Sequence, residues 1–108
     1  RRVSGPAMST DKAYASIKTA AAILDALAGA LPEGLTNGDI AQAAACTPSQ
    51  VTRLTAALAD AGWVEKLPTG RFRITTRFGR MTFRVMAGFD RAARQLDDLK
   101  RNYTLSND

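Results

Sequence analysis

Thr47, Ser49, Gln50, Thr52 and Arg53 crowd five polar side chains into one short stretch, and none of them is a carboxylate, histidine or thiol. A Gln amide can bond adenine through two hydrogen bonds and an Arg guanidinium can bond guanine in the same way, each good pair discriminating by about 1–3 kcal/mol. Ser and Thr hydroxyls reach base edges or phosphates. Such a set recognises rather than turns over. A second concentration follows downstream, where Arg71, Arg73, Arg77, Arg80 and Arg84 stand between Leu67 and Phe89 with no acid among them. A patch of that kind attracts a polyanion, although charge runs also serve simply as solvated surface.

The charge is uneven along the chain. The net value is +5, and residues 68–108 alone carry nine basic against four acidic groups, whereas residues 31–67 carry two against four. The composition also excludes several classes of function. There is no histidine and one cysteine, Cys46, so neither an intramolecular disulfide nor the common metal clusters can be assembled. No glycine-rich phosphate loop and no nucleophile beside a base is present, which argues against an enzyme and against any cofactor or metal. Nothing basic adjoins Cys46, so it reads as a small buried residue in a turn. The longest apolar stretch, Thr19 to Leu31, is interrupted by Asp25 and is too short to span a bilayer. With no credible signal peptide, the expected compartment is a reducing cytoplasm, at the nucleoid when DNA is bound, with no membrane partner. Residues 1–7 read as a basic tag or disordered segment ahead of Met8.

The elements that must position these residues follow from periodicity. Over Ala13 to Ala30, Ile17, Ala20, Ala21, Leu24, Leu27 and Ala28 recur at helical spacing, with Ser16 or Asp11 as candidate caps. Leu31-Pro32-Glu33-Gly34 breaks that helix. Thr36, followed three residues later by Asp39, is a capping arrangement for a short helix to about Ala44. Thr47 is a good N-cap with Pro48 at the first helical position, and the helix they open buries Val51, Leu54, Leu58 and Ala61 before ending at Gly62. Trp63 to Leu67, the turn Pro68-Thr69-Gly70, and the strictly alternating Arg71 to Thr75 predict a β-hairpin. Alternation turns Arg71 and Arg73 to the face opposite Phe72, with Arg71, beside the turn, the better placed for DNA; Trp63 should close the junction as core.

From Arg77 onward Phe78, Met81, Val85, Phe89, Ala92, Leu96, Leu99 and Tyr103 follow one another at spacings of three and four, close to a heptad seam. Gly79 and Gly88 weaken that helix and predict a bend near Gly88. Arg77, Arg80 and Arg84 fall on one stripe with no acid at helical spacing, while Asp90, Arg94, Asp98, Asp97 and Arg101 stand at i, i+4 in the distal half. A helix of that length, roughly 40 Å at about 1.5 Å per residue, outruns so small a domain, so part of the seam should face a second copy of the chain. The expected homodimer contacts are Val85, Phe89, Leu96 and Leu99. The competing arrangement folds the helix back on Ile17, Leu24 and Leu27.

Two short helices around a tight turn, then a hairpin, are the order of a winged helix-turn-helix. At residue level Ser16-Ile17-Lys18, Ala22-Ile23-Leu24, Pro32-Glu33-Gly34-Leu35-Thr36, Asp39-Ile40-Ala41, Val51-Thr52-Arg53-Leu54, Ala61-Gly62-Trp63-Val64 and Gly70-Arg71-Phe72-Arg73-Ile74 resemble, in that order, the N-terminal DNA-binding domain of the IclR family of bacterial regulators. The resemblance covers roughly residues 16–80. It implies a winged helix-turn-helix over 8–76, and together with the seam read above the expected fold is mostly α with a small β-hairpin and a long C-terminal helix over 77–108 for dimerisation. The family continues into a large effector-binding domain that this chain lacks. Its own heptad seam favours a small complete regulator, bacterial or from a phage, over an excised fragment, and no small-molecule effector is then expected.

The expected function is sequence-specific binding of double-stranded DNA in transcription regulation, with Thr47, Ser49, Gln50, Thr52, Arg53, Arg71, Arg73, Arg77 and Arg80 as contacts. The rivals are a winged helix used for protein–protein contact and an architectural DNA binder without sequence preference.

Overall fold

The computed structural model describes the backbone over residues 4–105 and side chains over 11–105. Residues 1–3 lie outside the described part, and with them some of the segment 1–7 set aside above; residues 4–7 form the first turn of a helix. The order is α1 (Ser4–Ala28), α2 (Asn37–Ala44), α3 (Pro48–Asp60), β1 (Val64–Lys66), β2 (Phe72–Ile74) and α4 (Arg77–Leu105). The fold is mostly α with one small antiparallel hairpin, a winged helix-turn-helix followed by a long helix. The chain divides into two compact units, Arg1–Thr75 and Thr76–Asp108. No helix of the described residues is long and apolar enough to cross a membrane.

In the first unit the core is small and contributed by every element. Ile23, Leu27, Ile40 and Val51 are wholly buried, with Leu54 and Val64 nearly so and Leu24, Leu35, Cys46, Leu58, Phe72 and Ile74 packed around them. Each such large aliphatic side chain contributes about 1.5–3 kcal/mol by leaving water. Thr55, also buried, donates its hydroxyl to the Val51 carbonyl at 2.6 Å, so it adds no unsatisfied polar atom to the core.

The face α1 turns inward keeps Ala20, Leu24 and Leu27 of the expected stripe but not its other members. Ile17 is 68% exposed and Ala21 and Ala28 are also exposed, while Ser16, Thr19, Ala20, Ile23 and Leu27 line the inner side. An alanine-rich helix is apolar nearly all round, so several stripes satisfy helical spacing, and only the docking of α2 and α3 selects one. Nor do Ser16 or Asp11 cap α1, because it begins earlier, at Ser4.

The helix-turn-helix itself forms as its caps predict. Thr36 and Asp39 make a reciprocal capping box at the start of α2, and Thr47 and Gln50 make a second at α3, with Pro48 in the first turn. Between them Ala45 adopts a left-handed conformation, its N–H satisfying carbonyls at the end of α2.

In the hairpin Val64 pairs with Ile74, Glu65 with Arg73 and Lys66 with Phe72. Leu35 and Phe72 exchange backbone hydrogen bonds of 2.9 and 2.8 Å, adding the segment before α2 to the outer edge of β2. This close approach requires Gly34, whose φ is +80° and where a Cβ would run into the Phe72 carbonyl. Trp63, expected as core, is half-buried, and Val64 takes the buried place at the helix-to-hairpin junction.

The second unit is α4, an unbroken helix of 29 residues that continues through Gly79 and Gly88. It has no buried residue. Arg101 pairs with Asp98 at 3.0 Å, one turn back at i, i+3, in place of the expected Asp97.

Candidate nucleic-acid interface

Opposite the buried stripe of α3 lie Ser49, Arg53, Ala56 and Asp60, all exposed and spaced i, i+4, i+7 and i+11. Among the described residues nothing in the chain bonds Arg53, which leaves its five donors to an external partner. The two alanines at 56 and 57, both exposed, keep the middle of this face low. A helix so trimmed can approach a wall of base edges closely, and a major groove about 12 Å wide admits one helix.

The other polar residues expected at this end are committed locally. The Gln50 side-chain carbonyl accepts from the Thr47 N–H at 2.9 Å and from the Thr47 hydroxyl at 3.2 Å. The Thr47 hydroxyl oxygen in turn accepts from the Gln50 N–H at 3.1 Å. Two-point bonding of adenine by Gln50 needs that carbonyl, so it opens the capping box. The Thr52 hydroxyl donates to the Pro48 carbonyl at 3.1 Å and accepts from the Asn37 amide at 3.0 Å. Asn37 also donates to the Pro48 carbonyl at 3.3 Å, tying the start of α2 to the start of α3.

The wing arginines do not extend from its tip. Arg71 and Arg73 do share the side opposite Phe72, but that side faces the turn between α1 and α2. The Arg71 guanidinium donates to the Gly34 carbonyl at 3.1 Å. Arg73 donates to the Pro32 carbonyl at 3.2 Å and to Glu65 at 2.9 Å, with an ion-pair contact to the same carboxylate oxygen at 2.8 Å. The pairing of Glu65 with Arg73 across the hairpin explains the capture, since directly opposed residues share a face. Both arginines, expected as DNA contacts, bond inside the domain in this structure, to carbonyls that sequence spacing cannot reveal.

The exposed part of the wing is Lys66, Pro68, Thr69 and Gly70, the last with φ +90° in the turn. Lys66 was not anticipated. By the same alternation that places Arg71 and Arg73 together, it shares the other face with Phe72, and its ammonium lies 5.7 Å from the centre of that ring. Two open clefts flank α3. Toward the wing, one of about 370 Å³ is bounded by Asn37, Thr52, Ala56, Lys66 and Phe72 among others. Toward α1, one of about 450 Å³ is lined by Lys12, Ala15, Ser16, Gln50 and Arg53. Lys12 was likewise missed, and the signal for it is its position one turn before Ser16 on the inner face of α1.

In the second unit Arg77 and Arg80 stand in the first turn of α4. The Arg80 guanidinium donates to the Thr76 hydroxyl at 3.0 Å and its backbone N–H to the Thr76 carbonyl at 3.1 Å. Arg91, not foreseen, continues the stripe of Arg80 and Arg84 two turns further. The expected contact residues of the seam are open to solvent, Val85 at 57%, Phe89 at 67%, Leu96 at 58% and Leu99 at 53% exposure.

A short helix capped by its own box, a second helix with an open polar face, and a hairpin wing define a winged helix-turn-helix DNA-binding protein. Residues 16–68 match the IclR helix-turn-helix domain, so this stretch is an IclR-type DNA-binding module. The match ends at the turn of the wing, and the structure completes the hairpin beyond it. No curated protein matches the chain.

Proposed function

We propose that this protein is a sequence-specific regulator that binds duplex DNA as a homodimer, with α3 reading one major-groove half-site per protomer. The observation that carries the specific reading is the open face of α3, where Arg53 has no bond among the described residues and Ser49, Ala56 and Ala57 are exposed around it. Arg53 bonds a guanine edge and Ser49 a neighbouring base or phosphate, while the low alanines let the helix approach. Thr47, Gln50 and Thr52 act mainly by holding the N-terminal end of α3, so their effect on specificity passes through helix position. Arg77 and Arg80, in the helix that directly follows the wing in the chain, are proposed phosphate contacts.

Dimerisation is proposed through α4. Its seam leaves Val85, Phe89, Leu96 and Leu99 exposed along one stripe, and an apolar stripe of that extent marks an interface. A pair of such helices related by two-fold symmetry gives two reading helices for two half-sites.

Selection of bound duplexes from a random pool, followed by competition between the selected site and random duplex, tests the reading. A defined, two-fold-related motif that outcompetes random DNA is expected; equal competition indicates an architectural binder, and no binding at low salt indicates a protein-interaction module. Sedimentation equilibrium of the intact chain and of Phe89→Glu tests the dimer. The unmodified chain should be dimeric at tens of micromolar and the variant monomeric, and a monomeric unmodified chain removes the dimer from the proposal.

A further inference from the structure

The two clefts beside α3 have a feature in common that neither the family match nor the polar run at 47–53 points to. Each carries one lysine, Lys12 from α1 on one side and Lys66 from β1 on the other, and neither has an acidic residue in its lining. Both lysines are exposed, and each is held by its own element. Lys12 precedes Ser16 by one turn and Ile23 by three on the inner face of α1, and where that face passes beyond the core it borders Gln50 and Arg53. Lys66 is paired with Phe72 across the hairpin and lies over its ring, which directs it toward α3 and away from Glu65 on the opposite face.

A helix lying in a major groove has a sugar-phosphate strand on each side of it. We infer that Lys12 and Lys66 are the two phosphate-binding cations of the domain, one for each strand bordering the groove that α3 enters, and that Arg71 and Arg73 are not. The ligand is the phosphodiester backbone, recognised by charge and independent of sequence. An ammonium on a flexible stem suits this task, because it follows a phosphate without requiring one geometry. In the cleft toward α1, Ser16 and Gln50 add a hydroxyl and an amide beside the lysine; in the cleft toward the wing, the donors of Asn37 and Thr52 are already bonded to one another and to the Pro48 carbonyl, so Lys66 acts there by its charge alone. The wing arginines are withdrawn by their bonds to the Pro32 and Gly34 carbonyls and to Glu65. The inference rests on the duplex-binding reading given above and adds to it which residues meet the backbone.

The test is the salt dependence of binding to a labelled random-sequence duplex by the full chain. Each phosphate neutralised contributes roughly 0.9 to the slope of log K against log salt. Lys12→Gln and Lys66→Gln are each expected to lower the slope by about one unit and the double variant by about two, with the same fractional loss on a selected site as on random DNA. Arg71→Gln and Arg73→Gln are expected to keep the slope of the unmodified chain while melting at lower temperature, a readout that separates scaffolding from DNA contact. An unchanged slope in either lysine variant overturns the two-sided arrangement. A slope lowered by the arginine variants overturns the division of roles. If the unmodified chain binds no duplex even at low salt, the proposed function fails and this inference with it. Thermal melts of the lysine variants, expected to match the unmodified chain, confirm that a lost slope is not lost folding.

Discussion

The wing and the flanks of α3 both carry cations, and the chain uses them in opposite ways. Arg71 and Arg73 sit in the most basic stretch of the sequence, yet they bridge β2 to the carbonyls of the turn between α1 and α2. Lys12 and Lys66 are isolated in sequence, one beside Asp11 and the other beside Glu65, yet each stands exposed at a cleft edge. The chemistry of the two side chains accounts for the division. A guanidinium has five donors in a fixed plane and can satisfy a carbonyl and a carboxylate together, as Arg73 does; an ammonium is a compact charge that stays hydrated at the surface. Density of charge in a sequence therefore locates cations without saying which of them remain available.

The comparison can be broken most forcefully at Gly34. Its positive φ and its contact with the Phe72 carbonyl make it the point where the turn and the wing meet. Gly34→Ala is expected to cost about 2–4 kcal/mol, read as a lower urea midpoint with an unchanged m-value, and an unshifted midpoint would show that the turn does not anchor the wing. Arg53→Ala should remove about 1–3 kcal/mol of discrimination between a selected site and its variants at one base pair, with random-duplex binding much less affected; competition assays measure the difference. Equal losses on both kinds of DNA would move Arg53 from the reading face to the phosphate set. Arg71→Ala should lower stability by about 1 kcal/mol through the lost bond to the Gly34 carbonyl, measured by denaturant unfolding. The smallest effect is expected for Gln50→Ala, which removes one half of a capping box at an exposed helix end. About 0.5–1 kcal/mol of stability should go, with site preference largely kept. A collapse of preference in that variant would mean that Gln50 leaves the box to read a base.

Much of the helix-turn-helix was legible because its signals are local. Thr36 with Asp39, Thr47 with Pro48, and the glycine that follows α3 act within a single turn of chain, so the residues that specify each helix end are neighbours in sequence. The hairpin was legible for the same reason, from Pro68-Thr69-Gly70 and strict alternation on its second strand. The inner face of α1 was not, since alanines on every side offer more than one apolar stripe and Ile17 competes with Ile23 until other helices dock. Arg53 stands exposed on α3 as its place in the sequence suggested, but the bonds that Gln50 makes in its capping box and Thr52 makes with Asn37 were not read there.

By itself, then, the sequence determined the order of elements, the caps that start α2 and α3, the turn of the wing and the length of α4, all of them products of backbone preference and short-range hydrogen bonding. Tertiary structure alone decided that Arg71 and Arg73 bond within the domain while Lys12 and Lys66 stand exposed. Arg71 and Gly34 are 37 residues apart, and Arg73 and Pro32 are 41. A guanidinium has no means of selecting a carbonyl at that separation until the core of Ile23, Leu27, Ile40 and Val51 has brought the turn and β2 together.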